Sequence, residues 1–197
     1  RYTYWYKTER DKMFENIKTM EVQTYSDFIP KLESKLESDI FMKIKVNDKN
    51  KSIFNMLDKK EKGNLFLNMR ATFWVKSFMN VGKSGEYKSY EVENLEYVYC
   101  IFNSTLFFWY WTVVSDCWHI TNKELKNFKY IDIDLCNLER FKTLANELSE
   151  RLEETKKYIG SKQIDYEYKH KECKEIIDQI DDFLGDIYGL NNEEKDF

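Results

Sequence analysis

Residues 97–115 (YVYCIFNSTLFFWYWTVVS) contain no charged side chain over 19 consecutive positions, and this run limits the fold more than any other feature of the chain. It is long enough for a membrane-spanning helix. However, polar residues interrupt it at 103–105, no Lys/Arg cluster flanks it, and aromatic residues dominate it, which argues against a membrane span. A helix that is apolar on nearly every side is otherwise buried by the rest of its own protein. The run therefore predicts one buried helix over residues 95–115.

A β-hairpin is predicted just before this run. Residues 64–81 and 86–92 are two β-prone segments around a glycine-bearing turn, which is typical of a hairpin whose polar tip spans residues 80–88. Just after the run, Thr121 and Glu124 have the spacing of a capping box, which predicts a short helix ending near Phe128.

Two amphipathic helices are predicted in the C-terminal third, over residues 135–156 and 170–188, with Gly189 as the stop of the second. The chain has only one proline and six glycines, which favours long helices over a sandwich of short strands. Together these patterns predict an α+β fold. In it, an antiparallel or mixed sheet with a basic hairpin packs on the apolar helix, and a C-terminal antiparallel helical pair follows.

Weaker patterns predict the remaining elements. Residues 2–8 are aromatic and predict a strand, and the charged residues 9–20 predict a short helix. Residues 31–44 have helical spacing, although alternation from residue 40 onward also indicates a change from helix to strand. Residues 131–133 alternate apolar and acidic side chains and predict a short strand or a turn.

The net charge of −4 is unevenly distributed along the chain. Residues 1–92 carry a net charge of +5, residues 93–131 of −1, and residues 132–197 of −8. This asymmetry indicates one lobe that faces a polyanion and one lobe that is solvated or faces a protein partner.

The four cysteines form no C-x-x-C pair, and only two histidines could join them as metal ligands. Reduced thiols in a cytoplasmic protein are therefore expected, with neither a disulfide framework nor a zinc site. The chain has no N-terminal signal peptide and begins with arginine, which suggests a piece of a longer polypeptide.

The chain lacks the phosphate-loop, dinucleotide-binding and nucleophile-elbow motifs. One catalytic alternative is a magnesium-dependent nuclease that uses Asp27, Glu33 and Lys35. Yet an acid two positions before a lysine arises easily in a chain so rich in both, as Glu172 and Lys174 show.

Basic and aromatic side chains coincide on the predicted hairpin. Lysine and arginine neutralise phosphates, and aromatic rings can stack on bases, so this surface is a candidate DNA-binding face. The alternative is a hairpin with a solvated charged face and an aromatic core face. The side chains concerned are Arg70, Trp74, Lys76, Lys83 and Lys88.

Five phrases of the sequence resemble one family: the C-terminal part of adenine-specific (N6) DNA methyltransferases of restriction–modification systems. The likeness includes the fused methylase–endonuclease (type IIG) enzymes and relatives of type I. The phrases are residues 1–5 (RYTYW), 28–32 (FIPKL), 64–75 (NLFL to FWV), 103–121 (NSTLFFWYWTVVSDCWHIT) and 180–197 (IDDFLGDIYGLNNEEKDF).

This resemblance implies a DNA target recognition region that lacks catalysis of its own. The family binds S-adenosylmethionine through a glycine-bearing loop and holds the flipped adenine with an Asn/Asp-Pro-Pro-Tyr/Phe motif, and neither occurs in this chain, whose only proline is Pro30. S-adenosylmethionine would therefore bind in a missing catalytic domain of the same polypeptide. Residues 1–131 would read duplex DNA, and residues 132–197 would be a spacer or docking element.

The resemblance and base-pairing geometry together give two sets of candidate reading residues, since arginine and lysine suit guanine and asparagine suits adenine. The hairpin would supply Arg70, Trp74, Lys76, Asn80, Lys83, Ser84 and Lys88. The segment after the apolar run would supply Trp118, His119, Thr121, Asn122 and Lys123, with a phosphate on the free amides of the short helix.

Two structural alternatives stay open. Residues 115–119 could be a turn that packs Trp118 under the hairpin, with Asp116 as a cap. The whole chain could instead be a protein-interaction or scaffold domain that acts through its acidic amphipathic helices. That second reading predicts a stable complex or homodimer without DNA affinity.

Overall fold

The fold is described from a computed structural model. The described residues are 6–12, 15, 21, 24–25, 28–71, 73–79, 85–160 and 166–197. The predicted strand over residues 2–8 and helix over 9–20 lie largely outside this part of the chain. Where they can be compared, Lys7–Lys12 forms a 3-10 helix, so no strand is present at residues 7 and 8.

Helices dominate the described part of the chain. The α-helices are α1 (Lys35–Ile44), α2 (Leu95–Asn103), α3 (Thr105–Val114), α4 (Asn122–Asn127), α5 (Leu135–Thr155), α6 (Lys174–Tyr188) and α7 (Asn192–Asp196). Further 3-10 turns span Lys49–Lys51, Ile53–Met56 and His170–Cys173. The strands are β1 (Asp58–Lys59), β2 (Leu65–Asn68), β3 (Ser77–Phe78), β4 (Tyr87–Glu91), β5 (Lys157–Tyr158) and β6 (Tyr166–Glu167).

The first four strands form an antiparallel sheet in the order β1-β4-β2-β3. This sheet and the helices confirm the predicted α+β class. The predicted hairpin is only partly right, because β2 pairs with β4 on one side and with β3 on the other. Residues 64–81 are therefore not one strand. The Asn68 side chain accepts the Arg70 amide at 2.9 Å, a local bond that competes with the ladder and ends β2.

The apolar run forms two helices, α2 and α3, where one was predicted. Ser104 separates them in an extended conformation (φ −80°, ψ 154°). Its hydroxyl oxygen accepts the Phe107 amide at 3.0 Å and donates to the Ile101 carbonyl at 2.7 Å. Serine can thus cap one helix and close the preceding one, and hydrophobicity alone did not reveal this stop. Among the described residues, none of the helices combines the length and the apolar character that crossing a membrane would require.

Replacing Ser104 with alanine is expected to lower the free energy of unfolding by about 1 kcal/mol, because a helix cap is lost. Ser149, a half-buried residue inside α5, is the control: alanine there should change stability by less than about 0.5 kcal/mol. Urea unfolding followed by circular dichroism measures both. Equal effects of the two substitutions would contradict a capping role for Ser104.

Most elements that short-range patterns predict are confirmed, and two of the alternatives are settled. α1 extends to Ile44, so the alternative of a strand from residue 40 is wrong. Residues 131–133 form no strand. α4 has the predicted capping box, and α5 and α6 match the two predicted amphipathic helices. Gly189 ends α6 in the left-handed conformation with φ +68°.

The C-terminal helices run antiparallel, as predicted. Phe141 in the first turns of α5 contacts Phe183 in the last turns of α6, with 4.6 Å between ring centroids. Both helices pack on the rest of the chain. The ring centroids of Tyr97 of α2 and Phe141 are 4.7 Å apart, and those of Phe128 and Tyr188 are 5.6 Å apart. Side chains from both sides of residue 131 therefore share one hydrophobic core. The division into a DNA-reading unit and a docking unit at that point stays a prediction.

Candidate functional site

The loop that follows α3 is a tight turn held by its own side chains. Asp116 Oδ1 accepts the amides of Trp118 at 2.9 Å and His119 at 3.1 Å. These two amides hold the pKa of the Asp116 carboxyl below its ordinary value. Cys117, which lies between Asp116 and Trp118 in the chain, has a positive φ of 60°, a conformation that non-glycine residues seldom adopt. Asp116 therefore caps this turn, as one sequence alternative proposed.

The turn pairs with the end of β2. The Ala71 amide donates to the Trp118 carbonyl at 3.1 Å, and the Ile120 amide donates to the Met69 carbonyl at 2.8 Å. Behind the turn, Trp111 Nε1 of α3 donates to the His119 carbonyl at 3.0 Å. Arg70 of the hairpin set thus lies beside Trp118 and His119 of the second set.

Arg70 and Trp118 form an exposed cation–π pair at this junction. The Arg70 guanidinium lies 5.1 Å from the centroid of the Trp118 ring, and 48% of Trp118 is exposed. Trp118 is therefore not packed under the sheet. Arg70 Nη1 also contacts Glu86 Oε1 at 3.1 Å, an ion pair in which both side chains are about half exposed. We call Arg70, Lys88, Trp118 and His119 the Arg70–Trp118 surface; all four are exposed.

The predicted phosphate site at α4 is not supported by this geometry. The Thr121 amide donates to Glu124 Oε2 at 2.7 Å, and the Lys123 amide donates to Thr121 Oγ1 at 3.2 Å, so the helix start is bonded to its own side chains. Lys123 Nζ donates to the Val114 carbonyl at 2.9 Å and pairs with Glu124 at 3.1 Å. Thr121 therefore caps α4, Lys123 ties α4 to α3, and Asn122 is exposed beside them.

Trp74 and Lys76 lie in a different place from Arg70. Trp74 packs on Phe108, with 4.9 Å between ring centroids, and lies 6.3 Å from the His170 ring. Burial lowers the pKa of the Lys76 ammonium, which lines the same cavity as Trp74 and His170. The structure thus separates these two residues from Arg70 and Lys88, neither of which lines the cavity. Asn80, Lys83 and Ser84 lie outside the described residues and stay predictions from the sequence.

Asn103 and His170, which the sequence did not single out, form a buried polar network. Asn103 Nδ2 donates to Ser77 Oγ at 2.8 Å and to the Tyr99 carbonyl at 3.0 Å. Its Oδ1 is therefore an acceptor, and it lies 3.1 Å from His170 Nε2. Nε2 must carry the imidazole proton, which leaves Nδ1 as an acceptor. Burial, and then the charge of Lys76, lower the pKa of His170 to about 3, against an opposing effect of the Tyr168 backbone.

Asp181 is a second group that the sequence did not reveal. It lies on α6, and its Oδ1 accepts the Leu106 amide at the start of α3 at 3.2 Å. Burial raises the pKa of Asp181 to about 6, against the lowering effect of Thr105 and the Leu106 amide. Sequence patterns mark these three buried groups only weakly. Asn103 is a lone asparagine in an uncharged run, His170 is one of two histidines, and Asp181 is one acid among many.

The nuclease alternative gains no support from the described part of the chain. Glu37, near Glu33 and Lys35, is buried and closes the capping box of α1 with Ser34. Among the residues that the structure describes, no group of three or more His, Cys, Asp or Glu side chains could hold a metal ion. Asp27 lies outside those residues.

The chain has no significant match among protein-family models, curated proteins or solved structures. The resemblance to methyltransferase target recognition regions therefore stays a prediction from the sequence.

Proposed function

We propose that the chain binds duplex DNA through the Arg70–Trp118 surface, as the target recognition region of an adenine-N6 methyltransferase. The observation that carries this proposal is the guanidinium of Arg70 held 5.1 Å from a half-exposed indole on a braced turn. Arginine can neutralise a phosphate or bond bidentately to guanine, and an exposed indole can stack on or wedge between bases.

The turn that carries Trp118 is held in a fixed conformation before any partner binds. Asp116, the strand-like pairing with β2 and Trp111 fix the turn, so little conformational entropy would be lost when DNA binds. The Arg70–Glu86 ion pair is exposed, and pairs of this kind are worth about 0–1 kcal/mol. Exchanging Glu86 for a phosphate or a base edge would therefore cost little.

The remaining parts of the proposal follow from the resemblance. Base flipping and methyl transfer would be performed by a catalytic domain of the same polypeptide, which would bind S-adenosylmethionine. The antiparallel pair α5–α6 would be the spacer or docking element against that domain. Its segment carries a net charge of −8 over residues 132–197, which disfavours direct contact with DNA.

A matched pair of arginines tests the DNA-binding face. Arg151 of α5 is about as exposed as Arg70 and is also paired with a glutamate, Glu154, at 3.2 Å, but it belongs to the acidic segment. Arg70→Ala is expected to weaken duplex binding by about 10-fold at 50 mM salt, as one charged contact to DNA is lost. Arg151→Ala should change it by less than about twofold. Fluorescence anisotropy with a duplex selected from a randomised pool measures both.

Two outcomes would contradict the proposal. Equal losses in the two arginine variants would mean that binding is not located at the Arg70–Trp118 surface. Undetectable or salt-independent duplex binding, together with a stable homodimer, would favour the protein-interaction alternative.

A further inference from the structure

A large cavity lies apart from the Arg70–Trp118 surface, since none of the four residues of that surface lines it. Its volume is about 1060 Å³, and it lies between residues 73–76, the start of α3, residues 167–171, α6 and the C-terminal residues. This volume is just above the usual range for small-molecule sites, roughly 300–1,000 Å³.

Unpaired polar atoms concentrate around this cavity. Within the described ranges, six buried side-chain polar atoms have no hydrogen-bond partner, and four of them belong to residues that line the cavity. Such atoms are rare in folded proteins, because each forfeits its hydrogen bonds to water. The four are Trp74 Nε1, Trp109 Nε1, His170 Nδ1 and Asp181 Oδ2.

The chemistry of these atoms restricts what could bind. The two indole nitrogens are donors only, whereas the neutral imidazole nitrogen of His170 and the carboxylate of Asp181 are acceptors. A ligand that satisfies all of them must carry both acceptors and donors. That requirement excludes a hydrocarbon chain, which has neither, and a bare inorganic anion, which the acceptors would repel.

The walls of the cavity favour a flat ring system. Trp74 and Trp109 line it together with Phe73, which is 90% exposed. An exposed phenylalanine costs free energy in water unless something covers it, and aromatic faces are well suited to stack on planar rings. A planar heteroaromatic base meets both the stacking and the hydrogen-bonding requirement.

Charge at the cavity differs between its two sides. On the side formed by residues 73–76 and 167–171, three lysines outnumber one acid, Glu167; the lysines are Lys76, Lys169 and Lys171. On α6, three acids outnumber one lysine, Lys174; the acids are Asp178, Asp181 and Asp182. A single phosphate attached to the base could reach the lysines. A continuous phosphodiester strand would also have to pass the acidic side, where like charges repel it.

From these features we infer that the cavity binds a mononucleotide. The base lies against the aromatic side chains and bonds the unpaired atoms of Trp74, Trp109, His170 and Asp181, and the phosphate lies at the lysine side. This inference does not depend on duplex binding, since neither Arg70 nor Trp118 lines the cavity.

Isothermal titration of the full chain tests this site with named probes: AMP, GMP, CMP and dTMP, the matching nucleosides, inorganic phosphate, indole and a single-stranded oligonucleotide. We expect at least one mononucleotide to bind with Kd below about 1 mM. Trp74→Phe keeps the ring but removes the indole donor and should weaken that binding by about 3–10-fold. Thermal unfolding of each variant checks that it is folded.

A second pair of variants separates the phosphate from the base. Lys171→Ala should weaken mononucleotide binding but leave nucleoside binding unchanged, because the exposed lysine would contact only the phosphate. Lys142→Ala, at an exposed lysine of α5 outside the cavity, should change neither. These surface substitutions remain informative even if Trp74→Phe does not fold.

Three results would overturn the inference. They are saturable binding by none of the mononucleotides, binding of indole as tight as that of the best nucleotide, and tighter binding of the oligonucleotide with the same sensitivity to Trp74→Phe. The first two would leave the duplex-binding proposal untouched, because that proposal is tested on other residues.

Discussion

Replacing Asn103 with alanine is expected to lower the free energy of unfolding by about 2–5 kcal/mol, since two buried groups lose their hydrogen-bond partner and each costs about 1–3 kcal/mol. The side chain is fully buried and joins three elements of the fold: Ser77 of β3, Tyr99 within α2, and His170 before α6. Asn103 Oδ1 also accepts the Ser77 amide at 3.3 Å. Alanine or leucine would leave this amide and the His170 Nε2 proton buried without their partner.

Urea unfolding followed by tryptophan fluorescence measures this loss as a lower transition midpoint. Asn146, an exposed asparagine inside α5, is the matched control. Alanine there should be neutral or slightly stabilising, since alanine favours the helix. A loss below about 1 kcal/mol in Asn103→Ala would show that water or a shifted side chain satisfies the network equally well.

Asp181→Asn is expected to stabilise the protein at pH 7.5, by about 1–3 kcal/mol. The pKa of Asp181 rises from 3.8 to about 6 on folding, so the ionised carboxylate is less stable in the folded chain than in the unfolded one. A shift of this size corresponds to about 3 kcal/mol, from which the cost of burying the new amide must be subtracted.

The sign of the effect fixes its pH dependence. Below about pH 4 the carboxyl is protonated in both states, and above about pH 6 it is ionised in both, so the penalty appears as the pH rises between these values. The gain from Asp181→Asn should therefore be present at pH 7.5 and absent at pH 4.

His170 acts in the opposite direction: its pKa of about 3 in the folded chain means that stability falls as the pH drops below about 6.5. The difference between variant and wild type at each pH cancels this contribution.

Glu175→Gln is the control for Asp181→Asn, since Glu175 is an exposed acid in the first turn of the same helix. It should change the unfolding free energy by less than about 0.5 kcal/mol at either pH. A stabilisation by Asp181→Asn that persists unchanged at pH 4 would contradict a raised pKa as its cause.

Elements that depend on neighbouring residues were predicted well from the sequence. The capping box of Thr121 and Glu124, the amphipathic helices α5 and α6, and the stop at Gly189 all rest on short-range signals. The break between α2 and α3 at Ser104 was not predicted, because a continuous hydrophobic run was taken as one helix and the capping serine inside it was not recognised. The order of the strands was missed because pairing of β2 with both β3 and β4 depends on contacts that sequence periodicity does not encode.

The candidate site could be predicted only in part, for the same reason. Basic and aromatic residues of the hairpin and of residues 118–123 were recognised by type, and Arg70 and Trp118 do meet. Spacing could not show that Trp74 and Lys76 lie near His170 instead, because this depends on tertiary contacts of residues 73–76. Asp181 and Asn103 carry no motif, and only burial marks them.

The salt dependence of duplex binding tests the proposed function most directly. If the chain binds DNA through cations such as Arg70 and Lys88, log Kobs should fall linearly with log salt concentration, with a slope of about −2 to −4 for two to four phosphate contacts. The slope for Arg70→Ala should be shallower by about one, and that for Arg151→Ala should equal the wild-type slope. A flat salt dependence, or a slope that changes as much in Arg151→Ala as in Arg70→Ala, would contradict DNA reading by this surface.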